Sequence, residues 1–87
     1  MKYIITANKC TYQKNGFVGS FVKVFLQIDG SWAAATRFPW SFPSVASAVF
    51  AYRKNEFQSV GVGSDQMPRI EGPRGGVYSI YNGRILK

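Results

Sequence analysis

Histidine is absent from this 87-residue chain, and cysteine occurs once, as Cys10. Without an imidazole, the usual general base near neutral pH and the commonest metal ligand are both missing. One thiol and four scattered carboxylates (Asp29, Glu56, Asp65 and Glu71) make neither a zinc set nor a Ser-His-Asp or Cys-His arrangement. The chain is therefore expected to be non-catalytic, with no metal and no cofactor. A lone cysteine excludes an internal disulfide and fits a reducing compartment. Residues 1–12 carry no signal-peptide apolar stretch, and no uninterrupted apolar run approaches the roughly 20 residues of a membrane span. The expected location is the cytoplasm, with no membrane partner.

Acids are the scarce charge. Eleven lysines and arginines face four acids, a net charge of +7. The imbalance is concentrated in residues 1–55, where Lys2, Lys9, Lys14, Lys23, Arg37, Arg53 and Lys54 oppose only Asp29. Such a field favours anionic partners: nucleic acid first, then an acidic protein or anionic lipid. The expected partner is nucleic acid or an acidic or nucleic-acid-binding host protein. Its bland counterpart is a charge that merely keeps a small protein soluble. An apolar fraction of 46% with 16% aromatics excludes a disordered chain. The length fits a single domain with one modest core.

Two turn signals organise the first half. Asn15-Gly16 and Asp29-Gly30 each separate runs that read as strands, and such dipeptides favour two-residue hairpin loops. Strands are expected over 2–12, 17–28 and 31–40. Two-residue loops place Ala7 opposite Val24, Ile5 opposite Leu26, Tyr3 opposite Ile28, and Ile28 opposite Ser31. One face is then aliphatic and small, with Ala33 and Ala35 continuing it. The other gathers Tyr12, Phe21, Phe25, Trp32, Phe38 and Trp40 among Thr6, Asn8, Lys23, Gln27 and Thr36.

From Ser44 the period changes. Val45, Ala48, Val49 and Tyr52 follow helical spacing, with Ser41 or Ser44 as N-cap and Arg53-Lys54-Asn55 at the end. A helix over 44–54 is expected on Val22, Val24, Leu26, Ala33 and Ala35. A fourth strand is expected over 56–62, and a glycine- and proline-rich loop over 63–76. A hairpin over 77–87 turns at Asn82-Gly83 by a further two-residue loop. The fold class is α+β: an antiparallel three-stranded meander with one helix on one face, plus a fourth strand and a C-terminal β-hairpin. The single domain has its core in 1–62.

Aromatics interleaved with a lysine and amides resemble single-strand-binding sheets, in which bases stack on rings and cations meet phosphates. The candidate binding residues are Lys23, Gln27, Trp32, Thr36, Arg37, Phe21, Phe25 and Trp40. Arg69 and Arg74, in the 63–76 loop, form a second locus. The opposing expectation is that strand 56–62 and the C-terminal hairpin fold over the aromatic face and bury it as a second core.

Gly30-Ser31-Trp32-Ala33-Ala34, then Phe38, then Ser44-Val45-Ala46-Ser47-Ala48 resembles small DNA-binding modules of the integrase arm-binding type, over residues 17–54. There the strands meet DNA, which implies roles for Lys23, Gln27, Trp32, Thr36 and Arg37. In general style the chain also resembles small accessory proteins of phages and mobile elements, including anti-CRISPR inhibitors, which would act in the host-cell cytoplasm. The leading expectation is a small basic nucleic-acid-binding module. The alternative is an inhibitor or adaptor that binds a host defence or nucleic-acid-processing complex through protein contacts.

Overall fold

The computed structural model describes residues 2–12, 18–54 and 68–86, with 10–12 and 18–21 as backbone only. Its strands are β1 (Ile4–Tyr12), β2 (Val18–Leu26), β3 (Trp32–Ala33), β4 (Arg69–Glu71) and β5 (Val77–Ser79), with helix α1 (Val45–Arg53) between β3 and β4. Together they make a small α+β fold: an antiparallel five-stranded sheet in the order β3-β2-β1-β4-β5, and one helix. The Asn15-Gly16 turn and the expected strand 56–62 lie outside the described residues. No described helix is long and apolar enough to cross a membrane.

β1 and β2 pair with Ala7 opposite Val24, and the register slips only between Thr11 and Tyr12. The Tyr3–Ile28 pairing does not form. Tyr3 instead bridges Phe42, exchanging backbone bonds of 2.9 and 2.8 Å, while Pro39 bridges Gln27 and the Trp40 N–H reaches the Leu26 carbonyl at 2.9 Å. Residues 39–42 thus join the end of β2 to the start of β1.

The largest correction concerns the Asp29-Gly30 turn. Gln27 N–H donates to the Ser31 carbonyl (2.7 Å), Gly30 N–H donates to the Gln27 carbonyl (2.9 Å), and Gly30 holds φ +87°. This is a three-residue loop closed by a left-handed glycine, one residue longer than expected. Leu26 consequently faces Trp32, and Phe25 faces Ala33. One added residue turns every following side chain to the other face. Trp32 and Trp40 pack against the core, whereas Ala35 is exposed. The expected strand 31–40 shrinks to two residues, because the chain leaves the sheet at Ala34 and returns at Pro39.

The glycine- and proline-rich stretch is not all loop. Its residues 69–71 form β4, in which Ile70 lies between Ile5 of β1 and Tyr78 of β5. Pro73-Arg74-Gly75 repeats the loop just described: Gly72 N–H to the Gly76 carbonyl (2.8 Å), Gly75 N–H to the Gly72 carbonyl (3.2 Å), Gly75 at φ +83°. After β5, Tyr78 bridges Ile85 and the Ser79 N–H donates to the Arg84 carbonyl at 2.8 Å. The connection is therefore Ile80–Gly83, four residues rather than two.

Ser44, in extended conformation, caps α1 by accepting the Ser47 N–H at 3.1 Å. The helix buries Ala48, Val49 and Ala51 in a core with Ile5, Leu26, Phe42, Ile70 and Ile80. Val22 and Ala35, expected beneath it, are exposed. Because β4 and β5 extend the sheet beyond β1, the apolar row under the helix runs toward Ile70 and Ile80.

Ile70→Ala is expected to cost about 2–5 kcal/mol in denaturant unfolding, and Ala35→Phe to stay within about 0.5 kcal/mol of wild type. A Cβ at Gly83 (φ +74°) would lie 2.9 Å from Val45 Cγ1, whereas one at Gly75 meets nothing within 4 Å. Both alanine variants incur the left-handed penalty of about 1–2 kcal/mol, and Gly83→Ala should have the lower melting temperature of the two.

Candidate nucleic-acid interface

The sheet face opposite α1 holds part of the expected site. Alternation and register bring Phe25, Thr6 and Arg69 into one row across β2, β1 and β4, with Lys23 beside Asn8 in the row on one side and Glu71 in the row on the other. Thr6 is only 2% exposed, so its hydroxyl needs a partner, which it finds by donating to the Glu71 carboxylate. Lys23 Nζ reaches the same carboxylate at 2.9 and 3.0 Å. The ion pair spans the Thr6 row, and the ammonium stands 5.6 Å from the Phe25 ring centroid. Burial pushes the Glu71 carboxyl up, but the Thr6 hydroxyl, Lys23 and Arg69 outweigh it and hold it below its ordinary value.

The other expected residues do not assemble here. Trp32 and Trp40 are half-buried on the core side, Trp40 stacked on Phe42 at 5.0 Å and 27°. Gln27 donates to the Ser31 hydroxyl at 2.9 Å, and the Thr36 hydroxyl accepts the Phe38 N–H at 3.0 Å. Both are tied up in local loop bonds. Arg37 is exposed beside Phe38, which is 73% exposed. The backbone of Phe21 pairs with Cys10, and the side chains of both lie outside the described residues. Arg74 is exposed at the β4–β5 turn, where Gly72 fits closely between Tyr3 and Tyr78, two rings in edge contact at 6.0 Å. Of the segments expected to cover this face as a second core, strand 56–62 lies outside the described residues, and the described C-terminal residues run elsewhere: β5 extends the sheet edge, and its following turn meets α1.

That turn assembles a cluster from two segments far apart in the sequence. Arg53 donates to the Tyr81 carbonyl at 3.2 Å, Tyr52 meets Tyr81 edge-on at 5.8 Å, and Lys54 Nζ sits 4.6 Å from the Phe50 ring centroid. Phe50 is 58% and Tyr81 53% exposed. Burial first, and then Tyr81, push the Tyr52 hydroxyl above its ordinary value. The one sequence signal that could have located the cluster is Arg53-Lys54 following a helical Phe50.

Compared with known proteins, the chain matches no family model, no curated protein and no solved structure.

Because the folded-state pKa of Glu71 is depressed, its contribution to stability is complete above the unfolded value near 4.5 and is lost as pH falls through the folded value. The stability gap between wild type and Glu71→Gln should therefore be full at pH 7 and close as the pH falls below 4.5. Urea titrations across that range measure it.

Proposed function

We propose that this chain is a small, basic, non-catalytic nucleic-acid-binding module that holds its ligand mainly through phosphate contacts. The observation that carries the reading is how the charge is arranged. Of the two acids among the described residues, Glu71 is held by Thr6 and Lys23, and Asp29 accepts both the N–H and the hydroxyl of Ser31. The Ser31 hydroxyl, and then its N–H, hold the Asp29 carboxyl below its ordinary value. Lys2, Lys9, Arg37, Arg53, Lys54, Arg74 and Arg84 are meanwhile exposed around the molecule. Among the described residues these exposed cations outnumber the two carboxylates, one of which is paired with Lys23. Such a field is directed at solvent anions, and polyphosphate chains gain most from it by releasing counterions.

With Trp32 and Trp40 turned to the core, stacking across the sheet is reduced, and the arm-binding resemblance loses the indole it placed against DNA. A second reading, an inhibitor or adaptor that docks on a nucleic-acid-processing protein, draws on Ile28, Phe38, Ile85 and Leu86, all exposed. A pull-down from lysate with and without nuclease separates the two. Partners removed by nuclease treatment support the first; one that survives it, together with silence toward purified nucleic acid, supports the second.

Fluorescence anisotropy with DNA and RNA oligonucleotides should show log K falling linearly with log salt concentration. Arg37→Gln should reduce the slope by roughly 0.7–0.9 if that guanidinium neutralises one phosphate. No binding to any oligonucleotide at low salt overturns the proposal.

A further inference from the structure

We infer that single-stranded nucleic acid is bound at the C-terminal end of α1, in the groove between the helix and the Ile80–Gly83 turn. A base is taken against Phe50, and phosphates lie on Arg53, Lys54 and Arg84. This rests on the nucleic-acid-binding reading above and commits it to one surface and one form of ligand.

The groove has a volume of about 470 Å³ and is walled by Val45, Val49 and Phe50, with Arg53 and Asn82 at its polar end. Its depth depends on Gly83, since any Cβ there would collide with Val45. Phe50 is largely exposed, which is costly for a phenyl ring, and a lysine ammonium already stands over it. The Arg53 guanidinium is steadied by the Tyr81 carbonyl, so pairing with a phosphate costs it less side-chain freedom. The Asn82 side-chain carbonyl accepts the Arg84 N–H at 3.0 Å, which fixes that amide at the groove wall.

Charge selects an anion. Helix α1 contains no acid, and of the acids among the described residues Asp29 belongs to the β2–β3 turn and Glu71 to the opposite sheet face. The partial negative end of the helix, about half a charge, is outweighed by three cations. The apolar wall selects a flat ring offered by its face. In a duplex the base faces are stacked away, whereas a single strand presents them.

The test is anisotropy with a labelled thymidine oligonucleotide of about 15 nucleotides, within the ~4–16 that small single-strand-binding domains cover, and a duplex of equal length. Wild type should prefer the single strand. Phe50→Ala should weaken that binding about 5- to 100-fold, as expected when one base no longer stacks, with the salt slope unchanged. Arg53→Gln and Arg84→Gln together should reduce the slope by about 0.7 for each phosphate no longer neutralised. Circular dichroism melts confirm that these surface variants fold, and Phe50→Trp, which keeps a stacking ring, should retain binding. If the groove variants bind like wild type while Arg37→Gln weakens binding, the site is wrong and the nucleic-acid reading stands. Preference for the duplex, or displacement of the oligonucleotide by polyglutamate as readily as by unlabelled thymidine strand, overturns the site as well. No binding of either oligonucleotide by wild type removes the functional reading itself.

Discussion

A loop of three residues closed by a left-handed glycine decides which side of the sheet each tryptophan occupies. With Gly30 at φ +87° closing the loop, the chain re-enters the sheet with Trp32 opposite Leu26 rather than opposite Gln27. Trp32 therefore shares a face with Leu26, and residues 39–42 follow it onto the same core. A helix whose buried residues are Ala48, Val49 and Ala51 supplies little volume of its own. The indoles of Trp32 and Trp40, with Phe42, help to fill what alanines leave open. Gly75 repeats the device on the other flank, where it returns β5 against β4 and sets Tyr78 opposite Ile70. The two outer strand pairs of the sheet, β2–β3 and β4–β5, are thus closed by loops of one build.

What is left on the open face follows from that register. With the indoles removed, Phe25 stands among Thr6, Asn8, Lys23, Arg69 and Glu71, and a nearly buried hydroxyl lies at the centre. A hydroxyl shut off from water without a partner costs about 1–3 kcal/mol, and a hydrogen bond to a charged group contributes about 1.5–3. Glu71 therefore has a structural task, and Lys23 neutralises the carboxylate that performs it. The ion pair that secures Thr6 also removes Lys23 from the cations free to meet phosphate.

Much of the fold was legible from local chemistry. The β1–β2 register follows from alternation over nine-residue strands, and α1 follows from its apolar period and its Ser44 cap. The face of Trp32 was not legible, because Asp-Gly serves two loop lengths and only the backbone bonds of Gln27 and Ser31 tell them apart. β4 was hidden because Arg69-Ile70-Glu71 is too short to show a period and sits among glycines and prolines. Its formation depends on tertiary pairing with Ile5, which no local propensity reports.

The cluster at the end of α1 escaped the sequence for a different reason. Arg53 and Tyr81, which it joins, are 28 positions apart. Asn82-Gly83 reads as a hairpin signal, and a hairpin it closes, but the left-handed glycine also acts outside its own turn. Lacking a Cβ, it lets Val45 and Val49 come down onto the backbone, which opens the groove beside Phe50. If the groove binds as proposed, stability and recognition meet at one residue. A side chain at position 83 strains the turn, pushes the hairpin away from the helix and fills the recess. On the proposed reading, an exposed Phe50 replaced by alanine changes recognition and leaves the turn intact. That difference between two positions of one groove separates a surface shaped to bind from a seam that merely holds the hairpin to the helix.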